Sequence, residues 1–247
     1  MSSLPAKQAF GEHLEELRKR LIRCFVALLI GFGICYNFKE KLFEILSSPL
    51  VEAMGQNPEM IYTGLTEPFF VYIKVAFLAG FLLISPYIFL EFWFFITPGL
   101  YKKEKMALLP VVFLSGFFFV GGALFGYFGV FPIGFKFFLD FSEGVIVARP
   151  AVGQYFTLAS KLLIAFGIVF ELPLVLTALA RFGIVSVEFL TKNRKYALLL
   201  FFICGAILTP PDPVSQCMMA VPLIIMYELS IIGAKILGKK KEVEEDV

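Results

Sequence analysis

The residues able to do chemistry in this 247-residue chain are few, and most of them are carboxylates. Glu16 sits in a patterned stretch, Glu12-His13-Leu14-Glu15-Glu16-Leu17-Arg18-Lys19-Arg20-Leu21. Phe10, Leu14, Leu17 and Leu21 fall at helical spacing. Acids fill the first turns and bases the later ones, which suits a helix dipole. Glu15 with Lys19 and Glu16 with Arg20 are i,i+4 pairs. The plainest reading is a surface helix held by its own ion pairs. The same geometry presents a carboxylate at one face of the chain. Glu104 is an acid among Lys102, Lys103 and Lys105. Two carboxylates on one side suit a ligand with two guanidinium groups, whose planar forks pair bidentately where a lysine cannot.

Glu171 stands in an apolar run, Ile168-Val169-Phe170-Glu171-Leu172-Pro173. An acid at the centre of a bilayer costs roughly 2.5–3.5 kcal/mol on insertion scales, so it marks a contact with a wet cavity, a partner helix or a passing substrate. The competing reading is a neutral acid hydrogen-bonded inside the chain. Pro173 removes a helix donor and predicts a kink. Glu91 and Glu228 read as end-of-span groups or local pairs. Asp212 and Gln216 flank the sharp turn Thr209-Pro210-Pro211-Asp212-Pro213, where Asp212 is placed to cap the next helix.

Other chemistries lack their residues. The single His13 excludes a multi-histidine metal site. Cys24, Cys35, Cys204 and Cys217 have no CxxC spacing and read as small packing residues. No Walker A pattern occurs, and no serine has a base in reach. No cofactor is expected, and the chain does not read as an enzyme. A net charge of +2 is too small for a nucleic-acid surface.

The elements that position these groups must be membrane helices. Hydrophobic residues make up 59% of the chain and charged ones 17%, against about 25% charged in soluble domains. Six apolar runs emerge: 21–38, 69–96, 107–131, 155–182, 196–208 and 214–232. They are continuous, which excludes alternating barrel strands. The fold predicted is all-α and polytopic, one membrane domain over 1–247 with an amphipathic segment 1–20 and a charged tail 239–247. The last two runs are short, so the bilayer is expected to thin there. Gly121, Gly122 and Gly126 read as small residues for close helix approach. The connections 39–68 and 132–153 read as amphipathic caps over the ends of the spans. Lys and Arg gather in the N-terminal segment, after the second and fourth spans and in the tail. That bias places both termini in the cytoplasm. No cleavable signal peptide is expected at the start.

Several motifs resemble one family. His13-Leu14-Glu15-Glu16-Leu17-Arg18-Lys19-Arg20-Leu21 is similar to the N-terminal signature of the TatC family, the multispanning receptor subunits of the twin-arginine protein translocase. Ser48-Pro49-Leu50, the run Phe92 to Glu104, Phe166 to Pro173 and Leu208 to Gln216 resemble it too, over nearly the whole chain. The resemblance implies a concave, glove-like array of six helices. It implies binding of signal peptides with paired arginines, and transport of folded proteins across the bacterial cytoplasmic (inner) membrane driven by the proton-motive force. TatA-like and TatB-like single-span proteins would be partners in an oligomeric complex within membrane lipid. Matched by residue, Glu16, Arg18, Phe95 and Glu104 would belong to the signal-binding face, with Pro49 in support. Glu171 would be the intramembrane contact for a partner helix, and Asp212 and Gln216 would lie in a partner-contacting turn. The alternative is a proton-coupled small-solute transporter using Glu171. The absence of an internal repeat and the scarcity of other intramembrane polar groups weigh against it.

Overall fold

The structure is a computed structural model. It describes residues 6–55, 58–96, 102–140, 149–209 and 212–238, and of these the side chains of 6–10, 12, 96 and 102–112 lie outside the description. The elements are helical: α1 (Ala6–Tyr36), α2 (Lys39–Met54), α3 (Glu67–Ile96), α4 (Lys102–Phe125), a π-helical turn (Gly126–Val130), α5 (Phe131–Asp140), α6 (Val152–Arg181), α7 (Val187–Lys192), α8 (Arg194–Leu208) and α9 (Pro213–Leu237). Among the described residues the only β pairing is an isolated parallel bridge between Ile61 and Ala151.

Among the described residues, four stretches are long and apolar enough to cross a membrane: Glu67–Phe95, Phe113–Asp140, Val152–Arg181 and Pro213–Leu237. The run expected at 21–38 lies in α1, which joins α2 at an 84° bend, and the two together pass the same test. The run at 196–208 is α8, only 15 residues. At 1.5 Å per residue it covers about 22 Å, less than a hydrocarbon core. Of the two helices expected to be short, α9 is longer than its apolar run, at 25 residues. It continues past Ile232 because Gly233 lets it lie against Thr177 of α6, where a Cβ would collide with the threonine hydroxyl. The third run also extends, through the π turn into α5. There the Phe131 N–H donates to the Gly126 carbonyl, five residues back. The register change falls next to Pro132, which has no N–H to give.

Two compact units divide the chain, Met1–Phe43 with Tyr72–Gly116, and Glu44–Val71 with Phe117–Val247. In the first, α1 and α3 meet at Gly31 and Gly80. A Cβ on Gly80 would lie 2.7 Å from the Phe32 nitrogen, the close backbone approach that small residues allow between membrane helices. In the second, α6 is the central element, with thirteen buried residues. A Cβ on Gly122 would run into the Phe166 carbonyl, and one on Gly167 would lie 2.6 Å from the Phe119 ring. Gly122 and Gly126 therefore do what their type suggested. Gly121 does not, since nothing lies within 4 Å of its absent Cβ. Pro173 lies inside α6, which runs unbroken through it.

Candidate functional site

Within the first unit, one face of α1 is joined to α3 by a charged cluster. Glu15 pairs with Lys19 at 2.9 Å, both well exposed. Glu16 Oε1 accepts from Arg20 twice, from Nε at 3.1 Å and Nη2 at 2.5 Å. The third contact of that guanidinium leaves the helix: Arg20 Nη1 donates to Glu91 Oε2 of α3 at 2.8 Å. Tyr87 Oη donates to Glu91 Oε1 at 2.9 Å, and Arg23 Nη1 lies 3.7 Å from the same oxygen. Burial grades inward, with side-chain exposure of 35% at Glu16, 19% at Arg20 and 9% at Glu91. One turn before Glu16, His13 stacks on Phe95 with ring centroids 4.4 Å apart and planes at 18°. Both predicted i,i+4 pairs are therefore present, and Phe95 is brought to the α1 face. Arg18 is exposed on the same helix. The Glu104 side chain lies outside the described residues.

Glu91 carries more than a span-end or purely local reading allows. It is a buried acid that pins α1 to α3. The signal lay in two spacings: Tyr87 and Glu91 are i,i+4 on α3, and Arg20 and Arg23 are i,i+3 on α1.

In the second unit Glu171 is 6% exposed. Neither of its carboxylate oxygens has a well-formed hydrogen bond among the described residues, and the Phe119 backbone is the polar group set against them. A buried polar group without such a bond normally costs on the order of 1–3 kcal/mol.

The turn residues have defined partners. Asp212 is the N-cap of α9: its Oδ1 accepts from the Ser215 N–H at 2.7 Å, and its Oδ2 accepts from the Ser215 hydroxyl. Partial burial pushes the Asp212 carboxyl up, but the bonds from Ser215 and Val214 outweigh it and hold the group below its ordinary value. Gln216 Nε2 donates to the Phe202 carbonyl at 2.9 Å, tying α9 to α8. Away from the turn, toward the other end of the same two helices, Arg194 and Glu228 pair at 2.8 Å.

Pro49 is buried within α2. A proline has no N–H, so the carbonyl four residues back, on Ile45, loses its helical donor. Tyr127, in the π turn, supplies one instead, its hydroxyl donating to Ile45 O at 2.6 Å. Tyr155 of α6 donates likewise to Leu46 O. The connection after α2 is held by Glu67, which accepts from Thr63 N at 2.6 Å, Gly64 N at 3.1 Å and Gly153 N at 2.6 Å. Tyr127, Tyr155 and Glu67 were not singled out by residue type, because their acceptors and donors are backbone groups.

Long apolar helices, with a charged cluster drawn into the helix packing and a buried acid inside a span, define a polytopic α-helical membrane protein. The comparisons agree and are more specific. The family described as "Sec-independent protein translocase protein (TatC)" matches residues 12–222. The chain is 59% identical over 246 residues to the Sec-independent protein translocase protein TatC of Desulforapulum autotrophicum, covering 100% of this chain and 91% of that one. It is 36% identical to TatC of Escherichia coli, covering 98% and 95%. The solved structure titled "Crystal Structure of Twin Arginine Translocase Receptor- TatC" matches with a TM-score of 0.81 and 41% identity, over 91% of this chain and 99% of that one. The chain belongs to the TatC family of Sec-independent protein translocase proteins. That is a family of translocase receptors and not of known enzymes.

Proposed function

We propose that this chain is the receptor subunit that binds twin-arginine signal peptides and gathers partner subunits to move folded proteins across the bacterial cytoplasmic membrane. The observation that carries the reading is Glu16. It is a half-exposed carboxylate with one oxygen taken by Arg20 and the other accepting no hydrogen bond among the described residues. An incoming guanidinium can use both oxygens of a carboxylate at once, which an ammonium cannot. Glu104 supplies the second carboxylate, and Arg18 and Phe95 belong to the same signal-binding face.

Glu171 serves as the contact for a polar group on a single-span TatA-like or TatB-like helix, which would satisfy its oxygens. Asp212 and Gln216 shape the turn beside which such a helix docks, and Pro49 supports the connection after α2. The chain works as one membrane domain, 1–247, in an oligomeric complex in the inner membrane. Both termini, including segment 1–20 and tail 239–247, are cytoplasmic, as the distribution of Lys and Arg indicates. The proton-motive force drives transport.

The test is photocrosslinking from position 16 and from position 104 to a peptide bearing an Arg-Arg pair and to its Lys-Lys counterpart. Strong crosslinking by the first and clearly weaker crosslinking by the second supports the proposal. Equal crosslinking by both contradicts it.

A further inference from the structure

The carboxylate assigned to the incoming arginine already holds a guanidinium of the chain itself. Arg20 places two of its donors on Glu16 Oε1 and a third on Glu91 Oε2. Glu91 is in turn fixed by the Tyr87 hydroxyl and approached by Arg23. Glu16 and Glu91 against Arg20 and Arg23 make a cluster of zero formal charge. Removing Arg20 from Glu16 without another anion to hold it would strand a guanidinium that is only 19% exposed, which is costly. Glu91 is that anion, and it is already bonded.

We infer that Glu91 is a specificity-determining positioning residue for arginine recognition, holding Arg20 so that its guanidinium can give up Glu16 to an incoming arginine side chain. Arg20 acts as a built-in competitor. A ligand must outbid two donors on one oxygen to take Glu16. An arginine fork can span Oε1 and Oε2 and does so; a lysine offers one point charge and does not. Glu91 sets how much that exchange costs, because Arg20 keeps a charged partner throughout. This inference rests on the proposed binding of twin-arginine peptides at Glu16, and it concerns a residue that need not touch the peptide.

The experiment is binding of fluorescent Arg-Arg and Lys-Lys peptides to the full chain in nanodiscs, in four forms: unchanged, Glu91→Gln, Arg20→Lys and Arg20→Gln/Glu91→Gln. Glu91→Gln should weaken Arg-Arg binding about tenfold, the equivalent of one charge-assisted hydrogen bond, because Arg20 is then held to Glu16 alone. The double variant should recover the lost affinity and narrow the preference for the Arg-Arg peptide to what bidentate pairing at Glu16 alone provides, since the competitor is gone. Arg20→Lys keeps the charge and the fold but cannot bridge both acids, so it should also narrow the Arg/Lys difference. A purely structural Glu91 would not give recovery on a second substitution, nor a change in the ratio of the two peptides. Unaltered affinity in Glu91→Gln, or a double variant as weak as Glu91→Gln, overturns the inference. If the unchanged chain fails to distinguish the peptides, the receptor proposal itself fails first.

Discussion

Two buried acids in this chain meet opposite fates. Glu91 of α3 takes hydrogen bonds from Arg20 and Tyr87, with Arg23 beside it. Glu171 of α6 takes no well-formed one among the described residues. Both are nearly inaccessible, at 7% and 6%, so burial alone does not separate them. What differs is the element packed against each. Glu91 faces a helix that carries arginines three residues apart, and α3 lies close enough to α1, through Gly31 and Gly80, for them to reach it. Glu171 is on a helix packed through glycines and phenyl rings, Gly126 against the Phe166 ring and Gly167 against the Phe119 ring. A satisfied acid binds the fold together. An unsatisfied one weakens the fold and leaves a polar contact open to something outside the chain.

The contrast predicts effects of opposite sign. Glu91→Ala should cause the largest loss, about 2–3 kcal/mol in thermal or denaturant unfolding in detergent, since it removes one anion from a buried guanidinium that still keeps Glu16. Glu171→Leu should raise stability by about 1 kcal/mol in the same assay, because it relieves a buried carboxyl without a well-formed hydrogen bond. It should at the same time abolish co-purification of a single-span partner. Loss of stability in Glu171→Leu would mean that the acid has a partner within the chain and is structural.

Asp212→Ala, which removes the α9 cap, should cost about 1 kcal/mol. Its pH dependence has a definite sign. The Asp212 carboxyl is held low in the fold, and it is the carboxylate that accepts the Ser215 N–H. The cap therefore contributes fully above the ordinary aspartate value of about 3.9 and is lost only as pH falls through the lower folded value. The difference between unchanged and Asp212→Ala proteins should accordingly persist from pH 7 to about pH 4 and shrink below it. Glu15→Ala should give the smallest effect, no resolvable change in stability, because the Glu15–Lys19 pair is exposed on both sides.

Much of the fold was legible because apolar runs in a membrane chain have few alternatives. The runs at 69–96 and 155–182 coincide closely with α3 and α6. The ends were less legible. Gly233-Ala234-Lys235 reads as the finish of a span, yet the glycine is what allows α9 to continue along α6. Likewise Pro132 reads as a stop, but a π turn absorbs it. At the site, the pairs within α1 followed from spacing along one helix. The Arg20–Glu91 pair spans 71 positions, and spacing cannot say which face of α1 meets α3. The role of Pro49 was hidden for a related reason: the hydroxyl that answers its missing N–H comes from Tyr127, 82 positions from Ile45.

The central claim is that Glu16 receives an arginine of the signal peptide. It is tested most directly by measuring capture of an Arg-Arg and a Lys-Lys signal peptide by the unchanged chain and by Glu16→Gln side by side. The account predicts tight capture of Arg-Arg peptide by the unchanged chain, clearly weaker capture of Lys-Lys peptide, and loss of both the affinity and the preference in Glu16→Gln. A Glu16→Gln protein that still prefers Arg-Arg peptide as strongly as the unchanged chain would contradict it.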